Sequence, residues 1–146
     1  MNREIKQSIA INADYLKIFE ELLFWGQSQW WPKNSLMRFE NLTKDIREKT
    51  LYLQKIKLPF GPKWHSVNET IDRNKLYIKR VFLDGLFEGC EELSVLKGKG
   101  TPEVVYCFNY KVKGFFNKLI WKILFKKLHI KNINLVLQSL KNYLEN

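Results

Sequence analysis

The chain has 146 residues, 45% of them apolar, and its 25 Lys and Arg against 15 Asp and Glu give a net charge of +10. That is enough sequence for one domain, and a domain of this length hides roughly two thirds of its unfolded surface, so its core needs neither disulfides nor a structural metal. Two cysteines exclude a disulfide scaffold, and His65 and His129, far apart and without Cys or His companions, exclude zinc fingers and His-cluster metal sites.

Ile5, Ile9 and Ile11 recur among polar residues from Arg3 to Ile11 and predict a half-buried strand. Asn12 or Asp14 can cap a following helix whose buried stripe is Tyr15, Ile18, Phe19, Leu22 and Leu23 and which ends near Gly26. An aromatic loop, Trp30-Trp31-Pro32, comes next. Strands are then predicted over Ser35–Glu40, Thr50–Leu58, Lys63–Asp72, Lys75–Leu83, Phe87–Lys97 and Glu103–Lys113. Short turns separate them, among them Pro59-Phe60-Gly61-Pro62, Asp84-Gly85 and Gly98-Lys99-Gly100, which together describe an antiparallel meander. From Gly114 to Leu144 the period returns to that of a helix.

That helix carries a conflict. At about 100° per residue, Lys118, Lys122, Lys126 and His129 share an arc with Ile133, Val136, Leu137, Leu140 and Leu144, so one straight rod cannot bury the second set and expose the first. A break, bend or change of environment is therefore expected between Leu128 and Asn132. The early half is expected to bury Phe116, Leu119, Ile120, Ile123 and Leu124, leaving Trp121, Phe125 and Leu128 on a side beside the lysines.

Charge is uneven as well. Residues 104–146 hold eight basic side chains and one acidic, and no carboxylate occurs between Glu103 and Glu145. A basic face for phospholipid headgroups, nucleic acid or an acidic ligand accounts for this, and so does a genome-wide bias toward Lys in a chain with only two alanines. Glu4 and polar alternation stand where a signal peptide would be apolar, and lysines interrupt every later apolar run. The expected location is the cytoplasm.

The order strand, helix, aromatic loop, six-stranded meander and long terminal helix resembles the START-like, or SRPBCC, helix-grip superfamily of polyketide cyclases/dehydrases, lipid-transfer domains and birch-pollen-type allergens. Its local carriers are Trp30-Trp31-Pro32, Leu58-Pro59-Phe60, Asp84-Gly85-Leu86-Phe87-Glu88-Gly89, and Gly100-Thr101 leading into Val104-Val105-Tyr106. The resemblance implies an α+β fold: a curved antiparallel sheet of about seven strands around the C-terminal helix, with one or two short helices after the first strand. It also implies an apolar cavity between sheet and helix, and members that bind lipids, sterols, polyketides, quinones or plant hormones. Function does not follow from such a fold alone.

Alternation places Val104, Tyr106, Phe108, Tyr110 and Val112 on one face of the last strand, and Gly89, Glu91, Leu93 and Val95 on the same face of its partner. Glu91 thereby meets the tyrosines on an apolar wall, where a carboxylate must be hydrogen-bonded, protonated, or reached by water or ligand. It is a candidate ligand anchor or general acid/base, and equally a structural group bonded to Tyr106. His65 is the other catalytic candidate, and Arg38 or Arg80 could reach inward toward an anionic headgroup. The expected ligand contacts are Glu91, Leu93, Tyr106, Phe108, Tyr110, Trp31, Phe39, Phe116, Ile120 and Ile123, with Trp30 and Trp31 either rimming the mouth or plugging the core. Cys90 and Cys107 should lie nearly opposite on the outer face as free thiols.

Three functions compete. The first is a non-catalytic binder or carrier of a small hydrophobic or amphipathic molecule, such as a lipid, polyketide or quinone. The second is a cyclase- or dehydratase-type enzyme in which Glu91 or His65 moves a proton. The third is a membrane-surface module in which Lys118, Lys122, Lys126, Lys127 and Lys131 meet phosphates while Trp121 and Phe125 dip into the interface. Nucleic acid is disfavoured, because the basic helix lacks arginine for base edges. No motif calls for a cofactor or metal, and none specifies an oligomer.

Overall fold

A computed structural model describes residues 2–59 and 61–146. The first strand, β1 (Arg3–Ala10), leads to α1 (Tyr15–Leu22), where the Asp14 carboxylate accepts the Lys17 amide at 3.1 Å and so caps the first turn. Six strands follow: β2 (Met37–Asn41), β3 (Leu51–Ile56), β4 (Lys63–Asp72), β5 (Tyr77–Phe82), β6 (Phe87–Leu96) and β7 (Glu103–Val112). The terminal rod comprises α2 (Phe115–Ile120), a π-helical turn (Trp121–Phe125) and α3 (Lys126–Glu145). All seven strands form one antiparallel sheet in the order β1-β7-β6-β5-β4-β3-β2, curled around the rod. This is the α+β helix-grip architecture, with one short helix after β1. Phe60, at the centre of the Pro59-Phe60-Gly61-Pro62 turn, lies outside the described residues.

Curvature comes from local irregularities. The β4–β5 register shifts between Asn68 and Thr70, an extra residue that bends β4. Gly89 in β6 adopts φ +131°, and a Cβ there would lie 2.0 Å from the Asn109 carbonyl oxygen, so only glycine lets β7 approach.

The aromatic loop is core. Trp25 packs edge to face on Trp30 and Trp31, which are tilted against each other, Trp25 stacks on Tyr106, and Trp31 continues the array to Phe39 and Tyr52. Trp30 and Trp31 are each 4% exposed, and the Trp31 indole N–H is satisfied by the Met37 carbonyl at 3.0 Å. Of the two roles open to them, plug rather than rim is the one they occupy.

The rod departs most from expectation. Its irregularity falls at Trp121–Phe125, about two turns earlier than Leu128–Asn132, where the helix runs on without interruption. A π turn carries an extra residue, which sets the following helix back by roughly 100°. That shift lets Trp121, Phe125 and His129 face the sheet together with Ile133, Val136, Leu137, Leu140 and Leu144, and so resolves the conflict of arcs. The change of environment is nonetheless where it was expected: Leu128 is exposed, whereas Asn132 and Ile133 are buried. The early face is inverted. Phe116, Leu119, Ile120, Ile123 and Leu124 are exposed, because the aromatic cluster of Phe87, Phe108 and Tyr110 takes Trp121 instead.

The two halves of the rod should thus respond oppositely to truncation. In urea unfolding, Leu140→Ala should cost about 2–5 kcal/mol, as for a buried leucine, whereas Leu124→Ala should change stability by less than about 0.5 kcal/mol.

Candidate functional site

Between the inner face of the sheet and the early rod lies a cavity of about 400 Å³. Its wall is aromatic: Trp64 from β4, Phe82 from β5, Phe87 from β6 and Phe108 from β7 contact one another edge to face, and Trp121 closes on Phe87 at 5.0 Å between ring centres. Leu36, Met37, Ile56 and Leu86 fill the remainder. The mouth runs between the β3–β4 turn, with Leu58, Pro59, Gly61 and Pro62, and the rod residues Asn117, Ile120, Phe125 and Leu128.

Besides Asn117 at the mouth, four polar side chains reach this space: Glu91, Tyr106, His129 and Asn132. Among the described residues, Glu91 and Arg80 are the only charged side chains that are fully buried, and they stand opposite each other on β6 and β5. Arg80 holds its guanidinium over the Tyr52 and Phe39 rings, 4.6 and 4.9 Å from their centres, and its Nε donates to Asn68 at 3.3 Å. Gln54 Nε2 donates to Glu91 Oε1 at 2.9 Å. Glu91 Oε2 and Gln54 Oε1 are buried and have no hydrogen-bond partner among the described residues. Such groups are costly unless something completes them.

Electrostatics divide the titratable pair. Burial raises the Glu91 carboxyl above the usual carboxylate range, against the partial pull of Arg80, the Gln54 amide and the nearby Tyr106 hydroxyl. Burial also lowers the His129 imidazole to about 4, so at neutral pH it is uncharged. Its Nε2 shares a hydrogen bond with the Tyr106 hydroxyl at 3.2 Å, and its ring lies 4.9 Å from that of Phe108. Tyr106, buried next to Glu91, titrates well above its ordinary value and remains a neutral hydroxyl. The cavity therefore combines an apolar wall, a carboxyl biased toward its acid form, a phenol and a neutral imidazole.

Several expected residues meet here: Glu91, Tyr106, Phe108 and Ile120 all line the cavity. Leu93, Tyr110, Trp31 and Phe39 are buried outside it. Leu93 is buried on β6, the strand that α1 contacts, Tyr110 accepts the Trp121 indole N–H at 3.0 Å, and Trp31 and Phe39 belong to the tryptophan array. Phe116 and Ile123 point away from the cavity because the rod is turned by its Trp121 anchor. That same rotation corrects the expected membrane contacts Trp121 and Phe125, which line the cavity instead, while Lys118, Lys122, Lys127 and Lys131 are exposed and Lys126 half-exposed.

His65 is corrected as well. Trp64, Ser66 and Asn68 are the inward residues of β4, so His65 lies on the outer face, where its Nδ1 meets Asp84 Oδ2 at 2.8 Å. Arg38 is likewise outward, whereas Arg80 is inward. The β6–β7 register pairs Cys90 with Asn109 and Cys107 with Glu92, so the cysteines are offset rather than opposite. Both are free, and burial raises both thiols, Cys107 to about 11.

Sequence reasoning missed His129, Gln54, Trp64 and Asn132 as site residues. The spacing Trp121, Phe125, His129 was the available signal for the first, since three ring side chains four residues apart share a helix face. Gln54 and Trp64 follow from the alternation of β3 and β4 once Tyr52 is taken as inward. The described residues contain no group of three or more His, Cys, Asp or Glu side chains placed to hold a metal ion.

Fold and site together define a helix-grip protein with an aromatic cavity. No protein-family model matches the chain, and no curated protein is similar to it. Solved structures are similar over nearly its whole length. A Thermus thermophilus protein is 18% identical, with a TM-score of 0.73 over 96% of this chain and 95% of the other. The Zhui aromatase/cyclase from Streptomyces is 10% identical, with a TM-score of 0.74 over 99% and 94%. Norcoclaurine synthase from Thalictrum flavum, in complex with dopamine and hydroxybenzaldehyde, is 14% identical, with a TM-score of 0.71 over 98% and 86%. The fold is the START-like helix-grip fold that the sequence resembles.

The buried imidazole makes stability depend on acid. A group that titrates near 4 in the fold and near 6.5 when unfolded takes up its proton on unfolding, so its contribution is complete above pH 6.5 and declines as the pH falls toward 4. For a displacement of this size the decline reaches at most about 3 kcal/mol. Thermal unfolding across that window should show it, and His129→Gln should flatten the profile.

Proposed function

We propose that the protein binds a compact, largely aromatic molecule that carries a hydrogen-bonding group, held between the sheet and the early rod with its polar end toward Glu91. The observation that carries this reading is an aromatic-walled cavity closed at its inner end by a buried carboxyl oxygen without a partner. At about 400 Å³ the space lies near the lower end of small-molecule sites, which favours a ring system over a long-chain lipid. Phe82, Phe87, Phe108 and Trp121 supply both faces and edges for stacking, so aromatic ligands gain beyond simple burial. The plant synthase of similar fold holds two single-ring compounds, dopamine and hydroxybenzaldehyde.

Mass spectrometry of freshly purified protein after denaturation should reveal a co-purifying aromatic, and the dye ANS should fluoresce on binding the emptied protein. Leu128→Trp, at a half-open position of the mouth, should weaken dye binding at least about tenfold, a loss of roughly 1.4 kcal/mol. Unchanged affinity in that variant would overturn the reading.

A second reading, a proton-transferring enzyme of cyclase or dehydratase type, has one specific observation in its favour. Glu91 and His129, on either side of Tyr106, are displaced in opposite directions from their ordinary titration ranges, the pattern expected of an acid and a base sharing a site. Glu91→Gln separates the two: turnover of a cyclisable substrate is abolished in the enzyme, while only affinity changes in the binder.

A further inference from the structure

The inverted rod leaves an unusual surface. Phe115, Phe116, Ile123 and Leu124 are 81, 76, 60 and 57% exposed, and Leu119 and Ile120 extend the same stripe along the solvent side of α2 and the π turn. Contiguous exposed apolar surface of this kind on a folded domain marks an interaction site. Lysines border it. Lys118, Lys122 and Lys126 run along one edge and line a concave cleft with Arg3 and Lys111, and Lys127 and Lys131 continue the rod just beyond. None of these seven cations takes part in an ion pair among the described residues, and the rod from residue 114 to 144 carries no carboxylate of its own.

We propose that this side of the rod docks on an anionic lipid bilayer, with Phe116, Leu119, Ile123 and Leu124 entering the boundary between headgroups and acyl chains and the flanking lysines meeting lipid phosphates. Charge complementarity selects this occupant. An apolar stripe running lengthwise beside a lysine edge, with no acidic residue on the segment, is the pattern of a helix that lies in the plane of a membrane interface. No helix of the described residues is long and apolar enough to cross a membrane, so the contact is peripheral. Each lysine near such a surface contributes about a fivefold gain in partition, and the gain is screened by salt. The geometry also turns the cavity mouth toward the bilayer, because Ile120 belongs both to the stripe and to the cavity wall. The proposal does not depend on what the cavity holds.

Flotation with phosphatidylcholine vesicles, with and without phosphatidylserine, tests it. The full chain should float with phosphatidylserine vesicles, stay behind with phosphatidylcholine alone, and be released as salt is raised. Lys118→Gln combined with Lys122→Gln should reduce recovery about fivefold for each lysine removed. Phe116→Ser combined with Ile123→Ser should reduce it as well, while unfolding in urea stays unchanged because both residues are exposed. Flotation with neither vesicle, or equal recovery from both, overturns the proposal. So does a dimer in sedimentation that the serine variant converts to monomer without any vesicle binding, since that result assigns the stripe to a second copy of the chain.

Discussion

The seating of Trp121 governs the arrangement of the cavity and of the surface beyond it. Its indole lies against Phe87, Phe108 and Tyr110, and its N–H is satisfied by the Tyr110 hydroxyl at 3.0 Å. A buried indole needs both its apolar contacts and a partner for its single donor, and this site on β6 and β7 supplies both. The π turn accommodates it. Without the extra residue, packing Ile133, Leu137 and Leu140 on the sheet would swing Trp121 sideways by roughly 100°. Trp121 inward means Phe125 and His129 inward, and it means the opposite stripe outward.

Polar groups in the core are organised around one cation. Arg80 is held by two aromatic faces and by Asn68, and it stands across the strand from Glu91. Asn68 is held in turn: its amide N–H₂ donates to the Tyr52 hydroxyl and to the Arg47 carbonyl, each at 3.2 Å. The chain of contacts from Asn68 through Arg80 to Glu91 and Gln54 crosses four adjacent strands and reaches the cavity only at Glu91. Breaking a single link would strand a buried polar group, so the network fixes where Glu91 points.

Much of this was legible in the sequence. Turn chemistry at Asp84-Gly85 and Gly98-Lys99-Gly100 bracketed β6, and period-two alternation named Tyr106, Phe108, Glu91 and Leu93 as inward. Parity was harder on β4, where Trp64, His65, Ser66, Val67 and Asn68 mix apolar and polar residues on both faces; the larger ring, Trp64, took the core and sent His65 outside. The direction of the rod was not legible. Its early segment carries an apolar stripe and an aromatic stripe on opposite sides, and the choice between them rests on a hydrogen bond to β7 and on a π turn that no proline or glycine announces. Glu91 could be assigned to the wall, but its partner Gln54 lies three strands away, a pairing that only the curl of the sheet creates.

The placement of the five tryptophans has an optical consequence. Trp64 and Trp121 border the cavity, whereas Trp25, Trp30 and Trp31 contact one another in a buried array that does not line it. Emission from the chain is therefore the sum of two families of chromophore, of which only one borders the space a guest would occupy. A change in emission on filling that space should come mainly from Trp64 and Trp121, over a background set by the other three.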